Sequence, residues 1–179
     1  MTATVTIRES RPNETGDILA LYPQAFPDEE LRPAVSALIE GDADVLSLIA
    51  CDGDTLVAHV LFTFCDVQGD ARKDARKDAL LAPLGVIPAF QKQGVGTAIV
   101  RAALDRLKMS DIGRVFVLGD PNYYGRFGFQ PERQVLAPYD IPAEWADAWQ
   151  SLELSANMPT SAGRLALPDP WMDPALWTA

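Results

Sequence analysis

Residues 84–97 read Leu84-Gly85-Val86-Ile87-Pro88-Ala89-Phe90-Gln91-Lys92-Gln93-Gly94-Val95-Gly96-Thr97. An apolar run stops at a proline, and a loop with two glycines then opens directly into a segment of helical periodicity. Gly94 and Gly96 lack a Cβ, so the backbone can bend tightly and a ligand can come close to its N–H groups. The N–H groups of a first helical turn, with the helix dipole behind them, make an anion site that suits a pyrophosphate. Lys92 adds a local positive charge. Gly-x-Gly before a helix also arises for steric reasons alone, so the flanks decide its meaning. They exclude two familiar alternatives. No Gly-x-Gly-x-x-Gly stands in a βαβ unit with an acidic residue about 20 positions on, so a dinucleotide fold is unsupported. No Gly-Lys-Ser/Thr follows either, so this is not a nucleotide-triphosphate loop.

Working outward, 80–87 is a strand and 97–108 an amphipathic helix with Ile99, Ala103 and Leu107 on one stripe. Upstream, 4–8 alternates as an opening strand, and 13–26 and 28–40 carry helical spacing, the second stopped by Gly41. Two apolar runs, 45–50 and 55–67, flank the turn Asp52-Gly53-Asp54 and read as a hairpin. Residues 70–79 repeat Ala-Arg-Lys-Asp twice; each unit carries its own Asp, which predicts a solvated hairpin loop. Downstream come a strand at 113–118, a short helix at 122–126, and strands alternating with proline-rich loops anchored by Trp145, Trp149, Trp171 and Trp177. This order predicts one mixed α/β domain over 1–179, a mixed sheet with helices on both faces.

The chain has 179 residues, 48% hydrophobic and 22% charged, which is globular composition. Its formal charge of −10 argues against nonspecific nucleic-acid or anionic-membrane binding, both of which need a basic field. No signal peptide is visible, and the longest apolar stretch, 56–65, is too short to span a bilayer. Cys51 and Cys65 have no metal-ligand spacing, so no metal is expected and they read as reduced, buried thiols of a cytoplasmic protein.

Val-x-Pro-x-x-Gln-x-x-Gly-x-Gly, from Val86 through Gln91 to Gly96, resembles the acyl-CoA-binding motif of the Gcn5-related N-acetyltransferase superfamily. A second stretch, Leu118-Gly119-Asp120-Pro121-Asn122-Tyr123-Tyr124-Gly125-Arg126-Phe127-Gly128-Phe129, resembles the second cofactor-side motif of its bacterial YhbS-like branch. Pro138-Tyr139-Asp140-Ile141-Pro142-Ala143 is also similar to that branch. The resemblance implies a central, mostly antiparallel sheet splayed at the cofactor site, and acetyl-CoA as acyl donor. It further implies that Leu84, Gly85 and Val86 line the pantetheine arm and that Gln91, Lys92, Gln93, Gly94, Val95, Gly96 and Thr97 surround the phosphates. The Val86 amide would polarise the thioester carbonyl. Tyr124 falls where relatives use a tyrosine hydroxyl near the leaving sulfur. Tyr123, Phe127 and Phe129 are expected in the core, and Arg126 either reaches the cofactor or caps the short helix. Val117 stands where many members carry an asparagine.

The expected reaction is direct transfer to a primary amine in a ternary complex, since neither cysteine has partners for a covalent acyl-enzyme. His59, the single histidine, is a candidate base by its near-neutral ordinary pKa, although a lone His in an apolar strand also reads as a packed structural residue. Glu29, Glu30 and water are the alternatives. A non-catalytic acyl-CoA sensor on the same fold would keep Gln91 to Gly96 without needing Tyr124. The acceptor amine is not legible, and members of the superfamily commonly form homodimers, for which the sequence carries no interface signal.

Overall fold

The computed structural model describes residues 3–69, 77–156 and 162–178. Among them are nine strands and five α-helices: β1 (Thr6–Glu9), α1 (Thr15–Ala25), α2 (Arg32–Glu40), β2 (Val45–Asp52), β3 (Thr55–Gln68), β4 (Lys77–Val86), α3 (Val95–Lys108), β5 (Ile112–Leu118), α4 (Pro121–Tyr124), β6 (Gln130–Pro131), β7 (Val135–Leu136), β8 (Trp149–Glu153), β9 (Gly163–Ala166) and α5 (Ala175–Thr178). Short 3₁₀ turns fill several connections. The architecture is mixed α/β on a mostly antiparallel, open sheet, as the sequence predicts. None of these described helices is long and apolar enough to cross a membrane.

Contacts gather the chain into two units, Met1–Phe62 with Ala82–Arg106, and Thr63–Leu81 with Leu107–Ala179. In the first unit β1 pairs antiparallel with β2, Thr6 opposite Cys51 and Arg8 opposite Ile49. The strand order continues through β3 to β4. Its core joins Ile18, Leu21 and Tyr22 of α1, Val35 and Leu38 of α2, Leu48 to Ala50 of β2, Val57 to Leu61 of β3, and Ile99 and Ala103 of α3, nearly all without solvent contact. The α3 residues among these follow the predicted 3.6-residue stripe.

In the second unit β4 pairs parallel with β5 over Lys77–Leu80, the ladder ending at Leu80 opposite Phe116. Beyond β5 come β8 and then β6, each step antiparallel. The far end of β3 pairs with β9, which pairs with β7. Trp149, Trp171 and Trp177 are buried as expected, each indole N–H satisfied by Val135 O, Thr63 Oγ1 and Trp171 O respectively. Trp145 is half-buried.

Some boundaries differ from expectation for local reasons. α2 begins at Arg32 rather than 28, because Pro33 sits in its first turn, where proline's fixed φ suits a helix start. β4 begins at Lys77, so the second copy of the repeat ends inside a strand rather than in a solvated loop. Its Asp78 is wholly buried and faces Arg114 of β5 at 3.6 Å, which explains how a charged residue is tolerated there. Residues 71–76 of that repeat lie outside the described residues.

Candidate active site

The glycine-bearing loop belongs to the first unit. β4 stops at Val86, and Pro88 opens a 3₁₀ turn over Pro88–Phe90. The Ile87 N–H donates to Val57 O (3.0 Å), tying the start of the loop to β3. Lys92 (φ 60°) and Gly94 (φ 82°) both turn left-handed, and Lys92 is the one non-glycine to do so among the described residues. That conformation costs an ordinary side chain about 1–2 kcal/mol, so the loop holds a lysine where glycine would be easier. Turns of this kind aim backbone N–H groups at a common point and favour anions.

α3 starts at Val95, two residues before the prediction, so Gly96 lies within the first helical turn and only Gly94 is needed for its φ. The first helical bond runs from Ala98 N–H to Gly94 O (2.9 Å), which leaves the Val95 and Gly96 amides ahead of the ladder, at the positive end of the dipole. The Gln91 and Gln93 side chains turn back onto the loop's own backbone. Gln91 Nε2 donates to Val86 O (2.9 Å) and Gln93 Nε2 to Ala89 O (2.7 Å), so both amides brace the loop. Spacing alone carries no signal for such local bonds. Leu84 and Val86 are half-buried, whereas Gly85 is buried against α1. A Cβ on Gly85 would come within 2.7 Å of Leu21 Cδ2, so the strand lies directly on that helix.

His59 does not sit as a base should. It is fully buried in β3, with Tyr22 Oη at 2.5 Å from Nδ1 and Ser47 Oγ at 2.9 Å from Nε2. Burial lowers its pKa to about 3. An enclosed imidazole with both nitrogens engaged and so little basicity cannot serve as the acceptor of a substrate proton near neutral pH. Glu30 is a poor base for another reason. Its hydrogen bonds to Arg32, at 2.8 and 2.5 Å, lower its pKa to about 2. Glu29 is exposed.

In the second unit, Asp120 caps α4, its carboxylate accepting from Asn122 N–H (2.8 Å) and its carbonyl from Tyr123 and Tyr124 N–H (each 3.0 Å). This presents Tyr124 at the end of a single rigid turn. Its ring meets Tyr123 edge-on at 5.1 Å and Phe129 at 5.8 Å between centroids. Burial, and then Tyr123, push the Tyr124 phenol above its ordinary pKa, so it stays protonated at neutral pH. Its hydroxyl makes no hydrogen bond among the described residues. Arg126 donates to Tyr123 O (2.9 Å) and lies 4.3 Å over that ring. Phe129 is core, while Tyr123 and Phe127 are half-buried. Val117 is buried in β5.

Burial raises the pKa of both thiols, Cys65 more than Cys51, so neither is a ready thiolate. No cluster of three or more potential metal ligands occurs among the described residues.

The model of the acetyltransferase (GNAT) family matches residues 15–129, which hold both the loop and the tyrosine turn. The chain belongs to the GNAT family. Among its relatives, the uncharacterized N-acetyltransferase YjhQ of Escherichia coli (strain K12) is 34% identical over 163 residues, covering 88% of this chain and 89% of that protein. The uncharacterized N-acetyltransferase YhbS of the same strain is 31% identical over 140 residues, 78% of this chain and 79% of its own. The crystal structure of E. coli YhbS in complex with CoA superimposes with a TM-score of 0.83 at 26% identity, covering 96% of this chain and 93% of YhbS. A GNAT acetyltransferase from Brucella melitensis in complex with acetyl-CoA gives 0.75 at 26% identity, over 94% and 98%. The GNAT membership and the YhbS likeness expected from the two motifs are thus borne out, and the family supports acyl transfer from coenzyme A.

Proposed function

We propose that this chain transfers an acetyl group from acetyl-CoA to a primary amine by direct attack in a ternary complex. The observation that carries the proposal is the loop between β4 and α3: two left-handed residues, one a lysine, lead into a helix N-terminus on the segment matched by the GNAT model. Relatives of the same fold hold CoA or acetyl-CoA. Left-handed turns and leading amides suit a pyrophosphate, so the residues present fit that group.

In the proposal the Lys92, Gly94, Val95, Gly96 and Thr97 backbone, with the Lys92 ammonium, holds the phosphates, and Gln91 and Gln93 keep that backbone in shape. Leu84, Gly85 and Val86 line the pantetheine arm, and the Val86 amide stabilises negative charge on the thioester oxygen as the amine nitrogen bonds to the carbonyl carbon. When the C–S bond breaks, the Tyr124 hydroxyl gives its proton to the departing sulfur. Burial keeps the phenol protonated at neutral pH, so it holds a proton to give. The ammonium proton leaves to water, and the phenol is reprotonated from solvent, so products are the amide and free thiol. We place the whole chain in one catalytic domain acting in the cytoplasm.

Calorimetric titration with acetyl-CoA tests the loop. Binding to the native chain, lost in a still-folded Gly94→Val/Gly96→Val variant, is the expected result. Transfer is read as thiol release with spermidine, lysine and an alanyl peptide as acceptors. Binding without transfer to any of them would favour an acyl-CoA sensor, and no binding would remove the proposal.

A further inference from the structure

We propose that Gly119 is a positioning residue for Tyr124: the missing side chain at 119 sets where the Tyr124 hydroxyl stands. This rests on Tyr124 being the proton donor. A Cβ built on Gly119 would lie 2.4 Å from Tyr124 Cε2, a distance that real Cβ atoms essentially never show, and a tight 3.0 Å from Cδ2. The glycine is not required by backbone conformation, because the φ of Gly119 is outside the left-handed region that Gly53, Gly69, Gly94, Gly128 and Gly163 occupy. Space is therefore what it provides.

Two hydrogen bonds hold the backbone at 119 on both sides. Gly119 N–H donates to Ala148 O (2.9 Å), and Gly119 O accepts from Gln150 Nε2 (3.1 Å), whose side chain is buried. The strand just before is locked as well, Leu118 standing opposite Trp149 in the β5–β8 ladder. With that backbone fixed, an added methyl must displace the ring. Sideways, the ring meets Tyr123 and Phe129, which stand edge-on to it at 5.1 and 5.8 Å between centroids. The displacement falls on the phenol, and a shift of about 1 Å in a reacting group can cost on the order of a hundredfold in rate. Gly119 thus carries no reacting group of its own and acts through Tyr124.

The test compares Gly119→Ala, Tyr124→Phe and the double variant in the full chain. The Tyr124 ring ¹H–¹³C cross-peaks, assigned by their loss in Tyr124→Phe, are expected to move in Gly119→Ala. With the amine turned over fastest among spermidine, lysine and the alanyl peptide, kcat is expected to fall about 10- to 100-fold in Gly119→Ala while KM for acetyl-CoA stays within about twofold. In the Tyr124→Phe background, where no hydroxyl is left to misplace, the added methyl should change the residual rate less than about twofold. Unmoved cross-peaks, or losses that multiply in the double variant, would overturn the inference. Full activity of Tyr124→Phe would instead refute the donor role itself. Should Gly119→Ala fold poorly, Gly119→Ala/Tyr124→Leu removes the ring the methyl meets, and its recovered Tm is the expected result; no recovery counts against the contact.

Discussion

At pH 7 the His59 ring is neutral, because burial lowers its pKa from 6.5 to about 3. The unfolded chain binds the proton first as pH falls, so the folded state keeps its full stability above pH 6.5 and loses it progressively towards pH 3. Between pH 7 and pH 5, above most carboxylate titrations, the loss should be about 1–2 kcal/mol. Urea denaturation across that range should show it in the native chain and not in His59→Gln; parallel profiles would sink the assignment. Glu14, held down to about 2 chiefly by its hydrogen bonds to Arg8, should add a separate loss only as pH falls below 4.5. The sequence placed His59 in an apolar strand but could not show its partners, since Tyr22 and Ser47 lie 37 and 12 residues away. The same limit hid Gly119: it reads as one letter of a motif, and its use appears only when the Tyr124 ring is seen against it.

The loop between β4 and α3 was legible as an element because its signals are local: a proline stop, glycine, and then a 3.6-residue period. Its bracing was not, for a glutamine amide can bond many carbonyls and only the folded loop selects one. Gln91→Ala removes the bond to Val86 O without touching the core. A single hydrogen bond of this kind is worth about 0.5–1.5 kcal/mol, so if its loss lets the loop open locally the Kd for acetyl-CoA should rise about two- to tenfold, with Tm lowered by at most a few degrees. Calorimetry and thermal melting measure both, and an unchanged Kd would show that the loop holds its shape without the amide. The start of β4 was misjudged because its charged letters read as solvated, yet Asp78 is buried opposite Arg114. Hydrophobic pattern misses a strand whose charge is matched by a distant residue.

Across the whole molecule, strand existence was readable but strand order was not. β8 lies between β5 and β6, a pairing between segments far apart in the chain that no local period encodes. All four tryptophans fall in the second unit, and His59 in the first. β3 and β4 each contribute residues to both units, so cooperative unfolding is expected. Tryptophan fluorescence and far-UV circular dichroism should then give one midpoint, and His59→Gln should shift both equally. Separate midpoints would reveal two independently melting parts. The crowding at Gly119 bears on descent as well as on rate. Every glycine codon lies one base change from an alanine codon, and the backbone there accepts an alanine without strain. On the proposed mechanism a lineage could therefore weaken transfer in a single mutational step while keeping the loop proposed to hold acetyl-CoA, shifting a catalyst towards a receptor for the same metabolite.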